Sequence, residues 1–286
     1  MNIESMIPYD IKDPDIIHRL PISLEEISGI AYFSKNKLAC IEDEHAIVYI
    51  YDLKKNKVIS KYDFGKDGDY EDIAVVDKVI YVLQSNGTII KIKNIDTKRK
   101  IKTIEIETPL KKINDTEGLV YDKNTNSLLI ACKESPSINT KELYKGFKAI
   151  YRFDLNNDKF IEKPEYLIDL SKLYDNNNGS VKKLFIETAK KLNLTSGDNI
   201  FYPSGLAIHP FDDETIYVIS SIGKLLLTIN RNGKILDIIE LDRNIFNQPE
   251  GICFSKEGNM FISNEGKNEG GNIVKFNLKK DSYNLK

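Results

Sequence analysis

A short pattern that recurs five times constrains the fold of this chain more than any other sequence feature. Each copy has a small or acidic residue, then Gly or Asp, then two apolar residues: Ser28-Gly29-Ile30-Ala31, Glu71-Asp72-Ile73-Ala74, Glu117-Gly118-Leu119-Val120, Ser204-Gly205-Leu206-Ala207 and Glu250-Gly251-Ile252-Cys253. The Gly or Asp positions lie 43, 46, 87 and 46 residues apart. Because one four-stranded propeller blade takes about 45 residues, this period predicts an all-β propeller.

The same succession of turns and apolar runs follows each copy. A turn rich in Asp, Asn, Lys or Gly is followed by runs such as Ile80-Tyr81-Val82-Leu83 and Ile150-Tyr151-Arg152-Phe153, and then by a polar hairpin turn. β-Branched and aromatic residues between Asn, Asp and Gly are strand–turn–strand signals. Five copies and five hairpins predict five blades, in one domain that spans residues 1–286.

The interval of 87 residues leaves two alternatives: a sixth, eroded blade, or an insertion between the third and fourth blades. Ser180 is a suitable helix N-cap, and the residues after it place an apolar stripe on one helical face: Val181, Leu184, Phe185, Ala189 and Leu192. This pattern favours five blades with a helical insertion over 175–195, and six blades remain the alternative.

The N-terminal run Ile16-Ile17-His18-Arg19-Leu20-Pro21-Ile22 resembles outer strands elsewhere, such as Ile238-Ile239-Glu240-Leu241. A propeller must join its last blade to its first, since an open ring exposes strand edges. We therefore predict that this run supplies the outer strand of the last blade.

Composition argues against several classes of protein. The chain has 41 basic and 43 acidic residues, which argues against nucleic acid as a partner because nucleic-acid-binding proteins carry a basic surplus. No apolar run reaches the ~20 residues of a membrane span, and residues 1–20 lack the apolar core of a signal peptide. Cys40, Cys132 and Cys253 lie in apolar, strand-like runs, which favours buried free thiols. We expect a monomer that is either cytoplasmic or has lost an export signal.

Two sets of acidic residues carry the functional signal. The first set begins the repeated pattern in three copies: Glu71 with Asp72, Glu117 and Glu250. The second set ends the next strand: Glu42 with Asp43, Glu134 and Glu265. In a propeller, both sets are expected at one mouth of the central channel, where crowded carboxylates repel unless a cation or protons neutralise them. Oxygen ligands without His or Cys indicate calcium or magnesium. The alternative is structural: each acid hydrogen-bonds backbone N–H groups of a neighbouring blade.

The sequence lacks familiar catalytic signatures. It has no phosphate-binding glycine loop, CxxC, HExxH or nucleophile elbow, and its three histidines are His18, His45 and His209. Catalytic residues are therefore left unassigned.

The repeat motifs resemble those of the SdiA-regulated, YjiK-like propellers. The resemblance rests on Asp69-Tyr70-Glu71-Asp72-Ile73-Ala74, Asp115-Thr116-Glu117-Gly118-Leu119 and Pro249-Glu250-Gly251-Ile252, and it extends over most of the chain, from Ile27 to Asn277. It implies a five-bladed propeller, a bound calcium ion and a periplasmic or cell-envelope location.

The expected function is a calcium-binding module or scaffold with a small-molecule or protein partner at the channel mouth. The alternative is a metal-dependent, phytase-like phosphoester hydrolase that uses the same mouth, with Lys133 and Lys267 as candidate phosphate-binding residues.

Overall fold

The strands are arranged in five four-stranded antiparallel sheets. The computed structural model describes residues 7–95, 97, 99–139, 143–175, 201–266 and 270–279. The first strand of each repeat is innermost, and these five strands contact one another in cyclic order around a central axis. The predicted five-bladed propeller is therefore confirmed.

The blades follow one another along the chain. Blade 1 comprises β2 (Ile27–Ser34), β3 (Lys37–Glu42), β4 (Ile47–Asp52) and β5 (Lys57–Asp63). Blade 2 comprises β6 (Tyr70–Val76), β7 (Val79–Gln84), β8 (Ile89–Lys93) and β9 (Lys102–Ile106). Blade 3 comprises β10 (Thr116–Asp122), β11 (Ser127–Cys132), β12 (Phe147–Asp154) and β13 (Lys159–Asp169). Blade 4 comprises β14 (Pro203–His209), β15 (Asp212–Ser220), β16 (Leu225–Asn230) and β17 (Ile235–Glu240). Blade 5 comprises β18 (Pro249–Phe254), β19 (Met260–Asn264), β20 (Asn272–Phe276) and the N-terminal strand β1 (Ile16–Arg19).

Strand β1 closes the ring. It pairs antiparallel with β20, from Ile16 opposite Lys275 to Arg19 opposite Asn272. This pairing confirms the predicted role of the N-terminal run and covers the outer edge of β20.

Five apolar cores fill the five interfaces between blades. Each blade packs between two others, so its middle strands are buried on both faces: every residue of β11 is buried, and so are the last five of β3. Outer strands such as β9 are largely exposed. Cys40, Cys132 and Cys253 are buried free thiols, as predicted.

Little helix accompanies the sheets among the residues that the structure describes. A 3-10 turn spans Ile22–Leu24, and the short helix α1 spans Ser171–Asp175. Apart from Asp175, where α1 ends, the predicted insertion over 175–195 lies outside the described residues. In the described part of the chain, no helix is long and apolar enough to cross a bilayer.

The central channel begins where the five innermost strands begin, and we call that end the channel mouth. Below it, a cavity of about 210 Å³ is lined by three successive residues of each innermost strand: 30–32, 73–75, 119–121, 206–208 and 252–254. Glycine allows the strands to converge there, because a Cβ on Gly205 would lie 2.6 Å from the carbonyl oxygen of Glu250.

Candidate metal centre

A β-bulge near the start of each innermost strand directs one side chain toward the channel mouth. In blade 3 the register passes from Thr116 opposite Cys132 to Gly118 opposite Ala131, so Glu117 has no partner in β11. The same irregularity in the other blades leaves Ser28, Glu71, Ser204 and, with Gly251, Glu250 as extra residues. Bulges of this kind re-aim side chains at the rims of closed sheets. The first residue of the repeated pattern is thus a bulge residue in every blade.

Three carboxylates from blades 2 and 3 converge at the mouth. Glu71, Asp115 and Glu117 each place an oxygen within 4.8 Å of the oxygens of the other two. Glu71 and Glu117 occupy equivalent bulges, and Asp115 precedes the bulge of blade 3 in a left-handed conformation with φ of 47°. Asp tolerates this conformation better than most residues. The cluster is therefore produced by the repeat and by one turn residue beside it.

Lys133 is the counter-ion of this cluster. Its Nζ donates to Oε1 of Glu117 and lies 3.6 Å from Oδ2 of Asp115. The backbone N–H of Lys133 also donates to the Asp115 carbonyl at 2.7 Å. The ammonium group of Lys148 also acts on Glu117, so two cations face three carboxylates and the cluster keeps a small surplus of negative charge when its acids are ionised.

Burial and mutual repulsion raise the pKa values of the bulge glutamates. The pKa of Glu71 is raised by burial and then by Glu117 and Asp69. The pKa of Glu117 is raised by burial and then by Glu250, and Lys133 opposes the rise. Burial lowers the pKa of Lys133, but the three carboxylates of the cluster outweigh burial and raise it. These raised pKa values favour protonation of the bulge glutamates, and a divalent cation would compete with the protons for the same oxygens.

Blade 5 extends the acidic surface. Oε1 of Glu250 accepts a hydrogen bond from Ser221 Oγ at 3.0 Å, and Glu265 accepts one from Gln248 Nε2. Burial raises the pKa of Glu250, and Glu265 adds to the rise. Glu250 thus stands next to both the acid cluster and blade 4.

One known protein family matches most of this chain. The model of a protein family described as SdiA-regulated matches residues 15–268. The chain belongs to the SdiA-regulated family. No curated protein matches the sequence.

Solved structures share the fold of this SdiA-regulated propeller. Glutaminyl cyclase of Myxococcus xanthus is similar with a TM-score of 0.57 at 11% identity, over 93% of this chain and 95% of that one. A PQQ-bound aldose sugar dehydrogenase of Streptomyces coelicolor has a TM-score of 0.56 at 12% identity, over 93% and 97%. A luciferin-regenerating enzyme has a TM-score of 0.52 at 12% identity, over 93% and 95%. At these identities the likeness concerns the fold alone.

Several predicted ligands lie apart from the cluster in the SdiA-regulated propeller. Both oxygens of Asp72 accept backbone N–H groups, from Ile73 at 2.8 Å and from Leu119 of the next blade at 2.6 Å. Glu42 accepts from the backbone N–H of His45 at 2.8 Å and from its Nδ1 at 2.8 Å. The Leu119 contact of Asp72 is the inter-blade bond of the structural alternative, whereas Glu42 accepts within the β3–β4 hairpin of its own blade.

The remaining acids of the second set differ in environment. Glu134 is exposed, because the residue equivalent to Asp43 and Glu265 in blade 3 is Lys133. Asp43 is half-buried, and its Oδ1 has no hydrogen-bond partner among the described residues. Burial, followed by repulsion from Glu26, Glu42 and Glu44, raises the pKa of Asp43 to about 6.

Sequence reasoning missed Asp115 and the pairing role of Lys133. Asp115 belongs to the Asp-x-Glu pattern that precedes Gly118, and Asp69 holds the equivalent position before Asp72. That spacing was the available signal, because residues i and i+2 of an extended chain lie on the same side. In blade 2, however, Asp69 accepts a hydrogen bond from Ser85 Oγ, so equivalent acids have different partners.

Proposed function

We propose that this protein binds a calcium ion at the channel mouth and acts as a binding module whose ligand docks at the same mouth. The observation that carries the proposal is the convergence of Glu71, Asp115 and Glu117 within 4.8 Å. Calcium takes six to eight oxygen ligands, which carboxylates, carbonyl groups and water molecules supply. In blade 1, the buried bulge residue Ser28 has an Oγ without a hydrogen-bond partner among the described residues, which adds an oxygen of the right chemistry to the ring.

Lys133 sets the expected affinity. A divalent ion at Glu117 and Asp115 must displace or shift its ammonium group, which already neutralises part of the charge. Competition of this kind weakens binding, and we expect a Kd in the range of about 10⁻⁴–10⁻³ M that extracellular calcium modules show. Such a site fills only where calcium is millimolar, which supports a location in the cell envelope. Fractionation of cells that produce the protein naturally would test the location, and we expect the protein in the envelope fraction.

Calorimetric titration tests whether calcium binds at the channel mouth. Chelator-treated protein should bind calcium, and Glu117→Gln should weaken binding at least tenfold because it removes a charge without changing shape. Glu162→Gln, an exposed outer-strand substitution, is the matched control and should bind as the wild type does. Zinc should be a poor substitute, since the cluster contains neither His nor Cys. Absence of calcium binding would overturn the proposal, and a Glu117→Gln variant less stable than Glu162→Gln would then assign Glu117 a structural role.

The hydrolase alternative needs basic groups to hold a phosphate. Lys133 is committed to Glu117 and Asp115, and Lys267 lies outside the described residues. Since one lysine beside three carboxylates is a poor phosphate site even after calcium displaces it from Glu117, we expect no phosphate release from phytate or p-nitrophenyl phosphate in the presence of calcium. Calcium-dependent release that Glu117→Gln abolishes would replace the binding module with a hydrolase.

A further inference from the structure

A second cavity lies at the opposite end of the ring, between blade 5 and blade 1. It has a volume of about 240 Å³, and strands β1, β2 and β20 contribute to its walls through His18, Tyr32 and Lys275. The turns after β4 and β18 contribute Lys54 and Glu257, and Phe261 of β19 provides an apolar surface. We call this cavity the seam cleft, because it exists only where β1 closes the ring.

His18 lines the seam cleft and has a buried acceptor without a partner among the described residues. Its side chain is held by Asn56, whose Oδ1 lies 3.0 Å from Nδ1 of His18 and accepts the Tyr51 hydroxyl at 2.6 Å. An Oδ1 acceptor fixes the proton on Nδ1 and leaves a lone pair on Nε2. His18 is 6% exposed, and its Nε2 has no hydrogen-bond partner among the described residues. Burial, reinforced by Lys275, lowers the pKa of His18, so the ring is a neutral acceptor at neutral pH.

Charged groups around the seam cleft are also unused. In the described part of the chain, Lys54, Lys275 and Glu257 form no ion pair, and the Tyr32 hydroxyl forms no hydrogen bond. Two ammonium groups against one carboxylate favour an anionic ligand, and charge-assisted hydrogen bonds to it are the strong ones. The Tyr32 hydroxyl and the side-chain amides of Asn36 and Asn259 suit hydroxyl groups, and the rings of Tyr32 and Phe261 offer apolar contact.

We propose that the seam cleft binds a small polyhydroxylated carboxylate of monosaccharide size, such as a uronic acid. A convergent set of polar groups on an apolar wall is the usual anatomy of a small-molecule site. The cleft lies at the far end of the inner strands from the channel mouth, so this site does not depend on the proposed calcium centre.

Calorimetric titration of calcium-free protein with D-glucuronate tests the proposal. We expect a Kd of about 1 mM, which is typical of a ligand of this size. The double variant Lys54→Met/Lys275→Met should weaken binding at least tenfold, whereas Lys35→Met, an exposed lysine outside the cleft, should leave it unchanged. D-Glucose, which lacks the carboxylate, should bind at least tenfold more weakly than D-glucuronate.

Nitrogen NMR of His18 provides an independent readout. The nitrogen resonances of His18 should shift on addition of D-glucuronate, because the ligand changes the surroundings of a ring that lines the cleft. Glu117→Gln should bind D-glucuronate as the wild type does, which separates this site from the calcium centre. Absence of binding at roughly 50 mM D-glucuronate, or binding that the double lysine variant leaves intact, would overturn the proposal.

Discussion

Oδ2 of Asp72 accepts a hydrogen bond from the backbone N–H of Leu119 at 2.6 Å, and this bond joins blade 2 to blade 3 beside the channel axis. Asp72 stands where the other four repeats have Gly. Burial raises the pKa of Asp72 well above its ordinary value, and the two backbone hydrogen bonds oppose that rise. The carboxylate thus fastens two inner strands through both of its oxygens.

Asp72→Asn should destabilise the fold, because the amide group turns one acceptor into a donor that faces a backbone N–H. We expect a loss of about 2 kcal/mol in the free energy of unfolding, the magnitude of one unsatisfied buried donor. Denaturant titration measures the loss. Asp77→Asn, at an exposed turn position, is the control and should change stability by less than about 0.5 kcal/mol. Equal stabilities of the two variants would contradict the assigned role of Asp72.

The segment that precedes β1 packs into the core between blades 4 and 5. Ile7, Tyr9 and Ile11 are buried there, and the Tyr9 hydroxyl donates to the Gly258 carbonyl at 2.5 Å. Tyr9→Ala should lower the free energy of unfolding by about 3 kcal/mol, because it leaves a cavity beside Phe254. Ile22→Ala, at a side chain that is 82% exposed, should leave the melting temperature unchanged and serves as the control.

Deletions distinguish this packing from ring closure. Removal of residues 1–13 keeps β1 and should lower the melting temperature by several degrees through loss of Ile7, Tyr9 and Ile11. Removal of residues 1–22 also exposes the edge of β20 and should lower it further. Equal melting temperatures for the two truncated proteins would show that β1 adds nothing to closure.

The fold was predictable because the repeat is local. The period near 45 residues, the turn residues and the likeness of 16–22 to an outer strand are all visible in the printed sequence. The buried segment with Tyr9 was not predictable, since three apolar residues outside any strand carry no periodicity. Its place is decided by the surface that blades 4 and 5 present, which exists only after the ring forms.

The site was predictable in part for a similar reason. Glu71 and Glu117 could be identified from their repeat positions, and the structure brings them within 4.8 Å of each other. Asp72 has the same type of side chain but bonds to backbone, because the bulge turns Glu71 toward the mouth and leaves Asp72 between the strands. Composition cannot distinguish neighbouring acids that a single extra residue sends in different directions.

Arg231 and Asp122 connect blade 4 to blade 3 away from the channel mouth. The two guanidinium nitrogens lie 2.7 and 3.1 Å from the two oxygens of Asp122, which is 1% exposed. Arg231→Met leaves this carboxylate buried without its counter-ion. We expect the free energy of unfolding, measured by denaturant titration, to fall by about 3 kcal/mol. The pair Arg152 and Glu165 is the control, because both side chains are about one quarter exposed and Arg152→Met should cost at most about 1 kcal/mol. Adding Asp122→Asn to Arg231→Met should restore part of the loss, and no recovery would contradict a charge effect.

The acidic mouth should make the calcium-free protein less stable as the pH rises. Burial, together with repulsion from neighbouring acids, raises the pKa of Glu71 to about 9, of Glu117 to about 8 and of Glu250 to about 7, from an ordinary value of 4.5. The folded chain therefore holds more protons than the unfolded chain above pH 4.5. The stability that these groups contribute is complete below pH 4.5 and is lost as the pH rises through the three folded-state values.

Thermal unfolding from about pH 5 to about pH 9, with a chelator and with calcium, measures this dependence. With the chelator, the melting temperature should fall by at least about 3 °C across the range, the shift that about 1 kcal/mol produces in a protein of this size. Calcium should reduce or reverse the fall, because it binds the ionised carboxylates and so binds more tightly as the pH rises. Glu71→Gln should flatten the chelator curve, since an amide cannot ionise, while the exposed Glu162→Gln should leave its slope unchanged. A chelator curve that is flat or rises between about pH 6 and about pH 9 would mean that these glutamates are ionised without help, and the case for a cation at the mouth would lose its electrostatic basis.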